Sequence, residues 1–173
     1  MPTRPALLFT LCFALACSFA AATPAQAQEA PSAPMPAQIL SAKKVFISNG
    51  GADINPGGGP LSRYSGLPVR PYNEFYAAMK SWGRFELVSA PADADLIFEI
   101  SFSESVLGDP IQPRFRLLVL DPKTHAVLWP FAEYPPEPRK KGELEKSFET
   151  GMASIVNDAK SLATFSAPAP AKN

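Results

Sequence analysis

Two stretches of strict alternation constrain this chain most. Leu96, Phe98, Ile100 and Phe102 alternate with Ile97, Glu99, Ser101 and Ser103, and Phe115, Leu117 and Val119 resume the beat opposite Arg114, Arg116, Leu118 and Leu120. Period-two patterning of this length predicts strands with one buried and one largely polar face. An apolar sheet face must be covered by a second layer, which the rest of the chain has to supply. Gly108-Asp109-Pro110 separates the two strands. Asp121-Pro122-Lys123-Thr124 then turns the second into Ala126-Val127-Leu128-Trp129, its predicted hairpin partner. Pro130, Pro135, Pro136 and Pro138 exclude a regular central strand or helix through the next segment.

The covering layer is legible as two helices. Tyr72, Phe75, Tyr76, Met79 and Trp82 recur at intervals of three and four, with Pro71 suited to the first turn and Gly83 to the stop. Glu143 and Glu145 open a second helix whose inner face carries Leu144, Phe148, Met152, Ile155, Ala159 and Leu162. Lys43 to Ser48, with Val45, Phe46 and Ile47 in succession, predicts a short central strand buried on both faces and ending at Asn49-Gly50-Gly51. Phe85 to Val88 reads as another strand. A strand, a helical crossover and a strand favour a parallel pair. The fold expected is therefore an α/β two-layer sandwich. It has one mixed sheet and two amphipathic helices, in the order β-α-β-β-β-β-α.

The ends of the chain have a different character. Arg4 precedes an uncharged apolar run from Ala6 to Ala22, and Ala25 and Ala27 satisfy the small-residue rule for signal cleavage, so residues 1–27 read as a signal peptide. A rival reading takes Cys17 as the lipidated residue of a membrane-anchored lipoprotein. Residues 28–38 form an Ala/Pro-rich leader, 39–165 a single globular domain and 166–173 a flexible tail. Removing 27 of the 173 residues leaves 146, with 15 basic and 16 acidic side chains. That balance gives no electrostatic footprint for nucleic acid. Both cysteines, Cys12 and Cys17, fall in the signal, so cleavage after Ala27 leaves no thiol for disulfides, catalysis or cysteine–zinc sites. No later apolar stretch approaches the length of a membrane span. The expected location is exported, periplasmic or secreted.

Ala92-Asp93-Ala94-Asp95-Leu96-Ile97 before an alternating strand, then Leu117 to Thr124 running on to Leu128-Trp129, resembles exported domains of unknown function in bacterial envelope proteins. It is also similar to the amino-terminal type of domain in TolB and to the curli-secretion lipoprotein CsgG. The resemblance spans roughly Lys43 to Ala163 and implies an α/β sandwich. His125 stands where the hairpin glycine is common, and the loop after the first strand is unusually long.

The candidate chemistry is sparse. Gly57-Gly58-Gly59 is followed by Pro60, not by Lys and a helix start, so neither a Walker loop nor a dinucleotide fingerprint is formed. Asp53 and Asn55 imitate the start of a calcium loop, whose twelfth position is Tyr64 and not glutamate. No cofactor or metal is called for. His125, the only histidine, belongs to a turn, and Glu99 with Glu104 offers the one carboxylate pair a hydrolase could use. The favoured reading is a non-enzymatic envelope domain that binds another envelope protein or assembles with itself, and a small exported hydrolase using carboxylates is the alternative. The loop from Asn49 to Arg70 is too long and too rich in Gly and Pro for a simple connection. Its Leu61, Tyr64 and Leu67, with Arg63 and Arg70 as polar contacts, are candidates for partner binding. The same apolar residues could equally fold back onto the domain's own core.

Overall fold

The computed structural model describes residues 34–53, 64–105, 112–138 and 140–164. The stretch read as a signal, most of the stretch read as a leader, the stretch read as a tail, Leu61 and Arg63 lie outside the described residues. Five strands form one mixed sheet in the order β2-β1-β3-β4-β5. They are β1 (Lys44–Asp53), β2 (Glu86–Leu87), β3 (Leu96–Ser105), β4 (Gln112–Leu120) and β5 (Val127–Glu133). β1 runs parallel to β2 and β3, whereas β3, β4 and β5 are antiparallel neighbours. Helices α2 (Arg70–Trp82) and α3 (Leu144–Thr164) pack on one face of this sheet, and the α/β architecture is the one expected.

Each helix follows from its sequence. α2 has Pro71 in its first turn and ends where Gly83 adopts φ 67°, a left-handed conformation that costs glycine nothing. It buries Pro71, Phe75 and Met79. α3 buries Leu144, Phe148, Met152, Ile155, Ala159 and Leu162, the face its spacing predicts. The core is densely aromatic, with Phe98, Phe102, Phe115 and Phe148 less than 2% exposed. Phe115 meets Phe148 edge-on with centroids 4.9 Å apart.

Several elements depart from the sequence reading. A short helix, α1 (Ala37–Ser41), precedes β1 and buries Ile39, and its first residues fall within the stretch read as leader. β1 does not stop at Asn49. It bulges between Asn49 and Ala52 and continues to Asp53 beside β3. Gly51 at φ 83° permits the bulge, and the N–H of Gly51 donates to Asn49 Oδ1 at 2.9 Å. Pro130 sits inside β5, which extends past Trp129 because β5 is an edge strand and does not need that N–H on its outer side. Trp129 is accordingly half-buried, since only one neighbouring strand flanks it. The β4–β5 turn is held by Asp121 Oδ1, which accepts the N–H groups of Lys123 and Thr124 at 2.7 and 2.8 Å. His125 closes it at φ 57°, which explains why glycine suits this position. Among the described residues, no helix is long and apolar enough to cross a membrane.

Candidate functional site

Tyr64 and Arg70, the two described ends of the candidate docking segment, are brought against the core and not away from it. Tyr64 is 3% exposed, its ring 5.2 Å from Phe102 and 6.0 Å from Phe148. Leu67 is half-buried against the same cluster. Arg70 lays its guanidinium over the Phe148 ring, 3.9 Å from the centroid, and pairs with Glu74 at 2.7 Å and Glu145 at 2.8 Å. Burial works against the guanidinium charge, but the hydrogen bonds to Glu145 and Glu74 outweigh it and raise its pKa above the ordinary value. Arg70 in turn holds the Glu145 carboxyl below its usual range. This cluster ties the start of α2 to the start of α3. What the described part of the segment turns outward is Ser65, Pro68 and Val69, the last 50% exposed.

Glu99 and Glu104 are not brought together. β3 is paired without a bulge along β4, so residues of opposite parity face opposite sides of the sheet. Glu104 lies on the helix-covered side with Phe98, Ile100 and Phe102, and Glu99 lies on the other. His125 is exposed in its turn.

The feature the sequence reading missed is the side of the sheet on which none of the described α-helices packs. Phe46, Ile97, Leu118 and Leu120 form a second apolar cluster there, to which no described helical residue contributes. Ile97, Leu118 and Leu120 are 4%, 8% and 8% exposed and form the floor of a depression of about 470 Å³. Phe46, Val127, Pro91 and His125 surround the floor, and Ser48 and Glu99 complete the lining. Val127 is 50% exposed. Beyond Glu99 the face turns polar, with Ser101, Ser103, Arg114 and Arg116. The signal was present in the sequence: Ile97, Leu118 and Leu120 are apolar on the polar phase of strands that otherwise alternate, as strands with two apolar surfaces are.

No family model matches the chain, and no curated protein matches it significantly. Solved structures do resemble it. A homolog of the neuraminyllactose-binding hemagglutinin from Helicobacter pylori matches with 11% identity and TM-score 0.45, covering 72% of this chain and 85% of that one. A Xanthomonas campestris protein of family DUF330 matches with 15% identity and TM-score 0.44, covering 75% and 89%. Uncharacterized lipoprotein B of Nitrosomonas europaea matches with 13% identity and TM-score 0.39, covering 77% and 89%. At these identities and TM-scores the likeness is a distant one of fold and assigns no activity, partner or compartment.

Proposed function

We propose that this chain is an exported cell-envelope domain that binds another envelope component, or assembles with itself, without catalysing a reaction. The observation that carries the reading is the apolar-floored depression on the face of the sheet opposite α2 and α3. Its volume falls within the range of pockets that accept a ligand or an anchoring side chain, and its lining is mostly apolar with a few polar groups at the margin. Such a surface suits binding, because apolar area gains free energy when removed from water and the marginal polar groups fix orientation. The outward described residues Ser65, Pro68 and Val69 are proposed as a second contact, with Val69 as the exposed apolar residue. Export rests on the signal pattern ending at Ala27, and the resemblance of the Ala92–Ile97 and Leu117–Trp129 motifs to exported domains of unknown function supports an envelope role without naming a partner.

A photo-crosslinking residue placed in cells at Val127 tests this. A discrete adduct from Val127, absent when the probe stands at exposed Asn157 on α3, is the expected result. Identical adduct patterns from both positions, or none from Val127, reject the face as a binding surface.

A further inference from the structure

Among the described residues, Glu99 is the one carboxylate in the lining of this depression. It sits between Ser48 of β1 and Leu118 of β4 on the same rung of the sheet. It is half-buried, and among the described residues no ion pair or hydrogen bond reaches its side chain. A Cβ built on Gly50 would lie 3.0 Å from Glu99 Cγ and 3.1 Å from Ser101 Cβ, so glycine at this position leaves the β1 side of Glu99 without a neighbouring side chain from residue 50. Lys44, also on this face, is engaged with Glu86 at 3.9 Å. From Glu99 the apolar floor continues past Leu118 to Leu120, two residues on, a run of about 7 Å along the strand.

A carboxylate partly withdrawn from water beside an apolar floor gains most from a donor-bearing cation, and gains nothing from an anion or a purely apolar group. Resting on the binding role proposed for this face, we infer that the depression selects a cation carried on an apolar stem, supplied by a lysine or arginine side chain of a protein partner. The stem covers Leu118, Leu120 and Ile97, and the charged head reaches Glu99 beside the Ser48 hydroxyl. Acidic groups are drawn to Arg114 and Arg116 on the polar half of the face and are repelled at Glu99 itself by its like charge.

The test uses the isotope-labelled exported chain titrated by NMR with two matched probes, hexylammonium and hexanoate. Hexylammonium is expected to shift the amide resonances of Ser48, Glu99 and Leu118 and to bind about tenfold more tightly than hexanoate, the factor a single modest charge pair supplies. Glu99→Gln removes that preference while the apolar floor stays intact. Val127→Ser, at an exposed lining position, weakens both probes alike and leaves their ratio unchanged. Equal binding of the two probes, shifts confined to other parts of the domain, or an undiminished preference in folded Glu99→Gln overturns the cation selection. A specific Val127 crosslink obtained alongside any of those results leaves the binding role standing and rejects only the chemistry assigned to its occupant.

Discussion

The N–H of Lys44 donates to the Asp95 carboxylate at 2.9 Å, and the N–H of Asp95 donates back to the Lys44 carbonyl at 2.9 Å. The same carboxylate oxygen takes the N–H of Lys43 at 2.8 Å, and Gln38 Nε2 donates to the Asp95 carbonyl at 3.0 Å. One side chain therefore sets the register at which β1 and β3 enter the sheet side by side. The backbone carbonyl of the same residue joins α1 to that point through Gln38.

Asp95→Asn is expected to lower stability by about 1 kcal/mol, toward the lower end for bonds to a charged acceptor because the site is exposed. The backbone bonds from Lys43 and then Lys44 hold this carboxyl below its ordinary value. A lowered value in the folded state contributes stability that is complete above the ordinary aspartate range and lost as pH falls through the lowered value. In urea denaturation, the gap between wild type and variant should therefore close below about pH 4. A gap that persists unchanged into strong acid rejects the assignment.

Glu133 on β5 has the opposite sign. Burial, followed by a hydrogen bond and charge from Asp158 on α3, pushes its carboxyl up. The stability tied to this group is complete below the ordinary glutamate range and is lost as pH rises through the raised value. Glu133→Gln keeps a neutral partner for Asp158, so the variant should melt higher than wild type at about pH 7 and alike at about pH 4. A lower melting temperature at neutral pH contradicts the pairing.

Gly151 is buried in α3 and faces Phe115 of β4. A Cβ there would fall 2.6 Å from the Phe115 ring and 2.9 Å from Pro135 Cγ. Alanine normally gains about 1 kcal/mol over glycine inside a helix, but overpacking a full core costs about 1–3 kcal/mol. Both obstructing groups are buried, and Phe115 is locked between Phe102 and Phe148, so the clash should win. Gly151→Ala is expected to destabilise the domain in chemical denaturation. A stabilised variant shows that α3 lifts off the sheet freely.

Local pattern made much of this fold legible, and tertiary position withheld the rest. The alternation of Leu96 to Ser103 and the spacing of Leu144 to Leu162 locate strand and helix because each repeat matches one backbone period. Gly50 and Gly51 read as a stop for β1, yet β3 supplies the hydrogen-bonding partner that carries the strand past them. Trp129 reads as part of the hairpin strand, but its half-burial depends on β5 lying at the sheet edge, which no local pattern encodes. Gly151 resembles any helix-interior glycine until Phe115 is placed opposite it. For the candidate site, the off-beat Leu118 and Leu120 carried the signal of a second apolar surface, but the dominant alternation read them as part of a polar face. Glu99 became informative only once the register placed it beside Ser48 and Leu118 at the edge of that apolar surface.

Tyr64 shows why a loop is the hardest place to read direction from sequence. An apolar residue in a segment without periodicity can face the core or a partner, and composition is the same in both cases. Here the ring is 3% exposed and sits between Phe102 and Phe148, below the guanidinium of Arg70 that stacks on the same Phe148. Tyr64→Ser should therefore cost about 3 kcal/mol or more, as truncation of a buried aromatic does. Val69→Ser, at a half-exposed position five residues on, should cost less than about 0.5 kcal/mol. Urea denaturation of the two variants gives the comparison directly. A Tyr64→Ser protein as stable as wild type means that the ring leaves the core in solution, and the segment is then free to meet a partner through Tyr64.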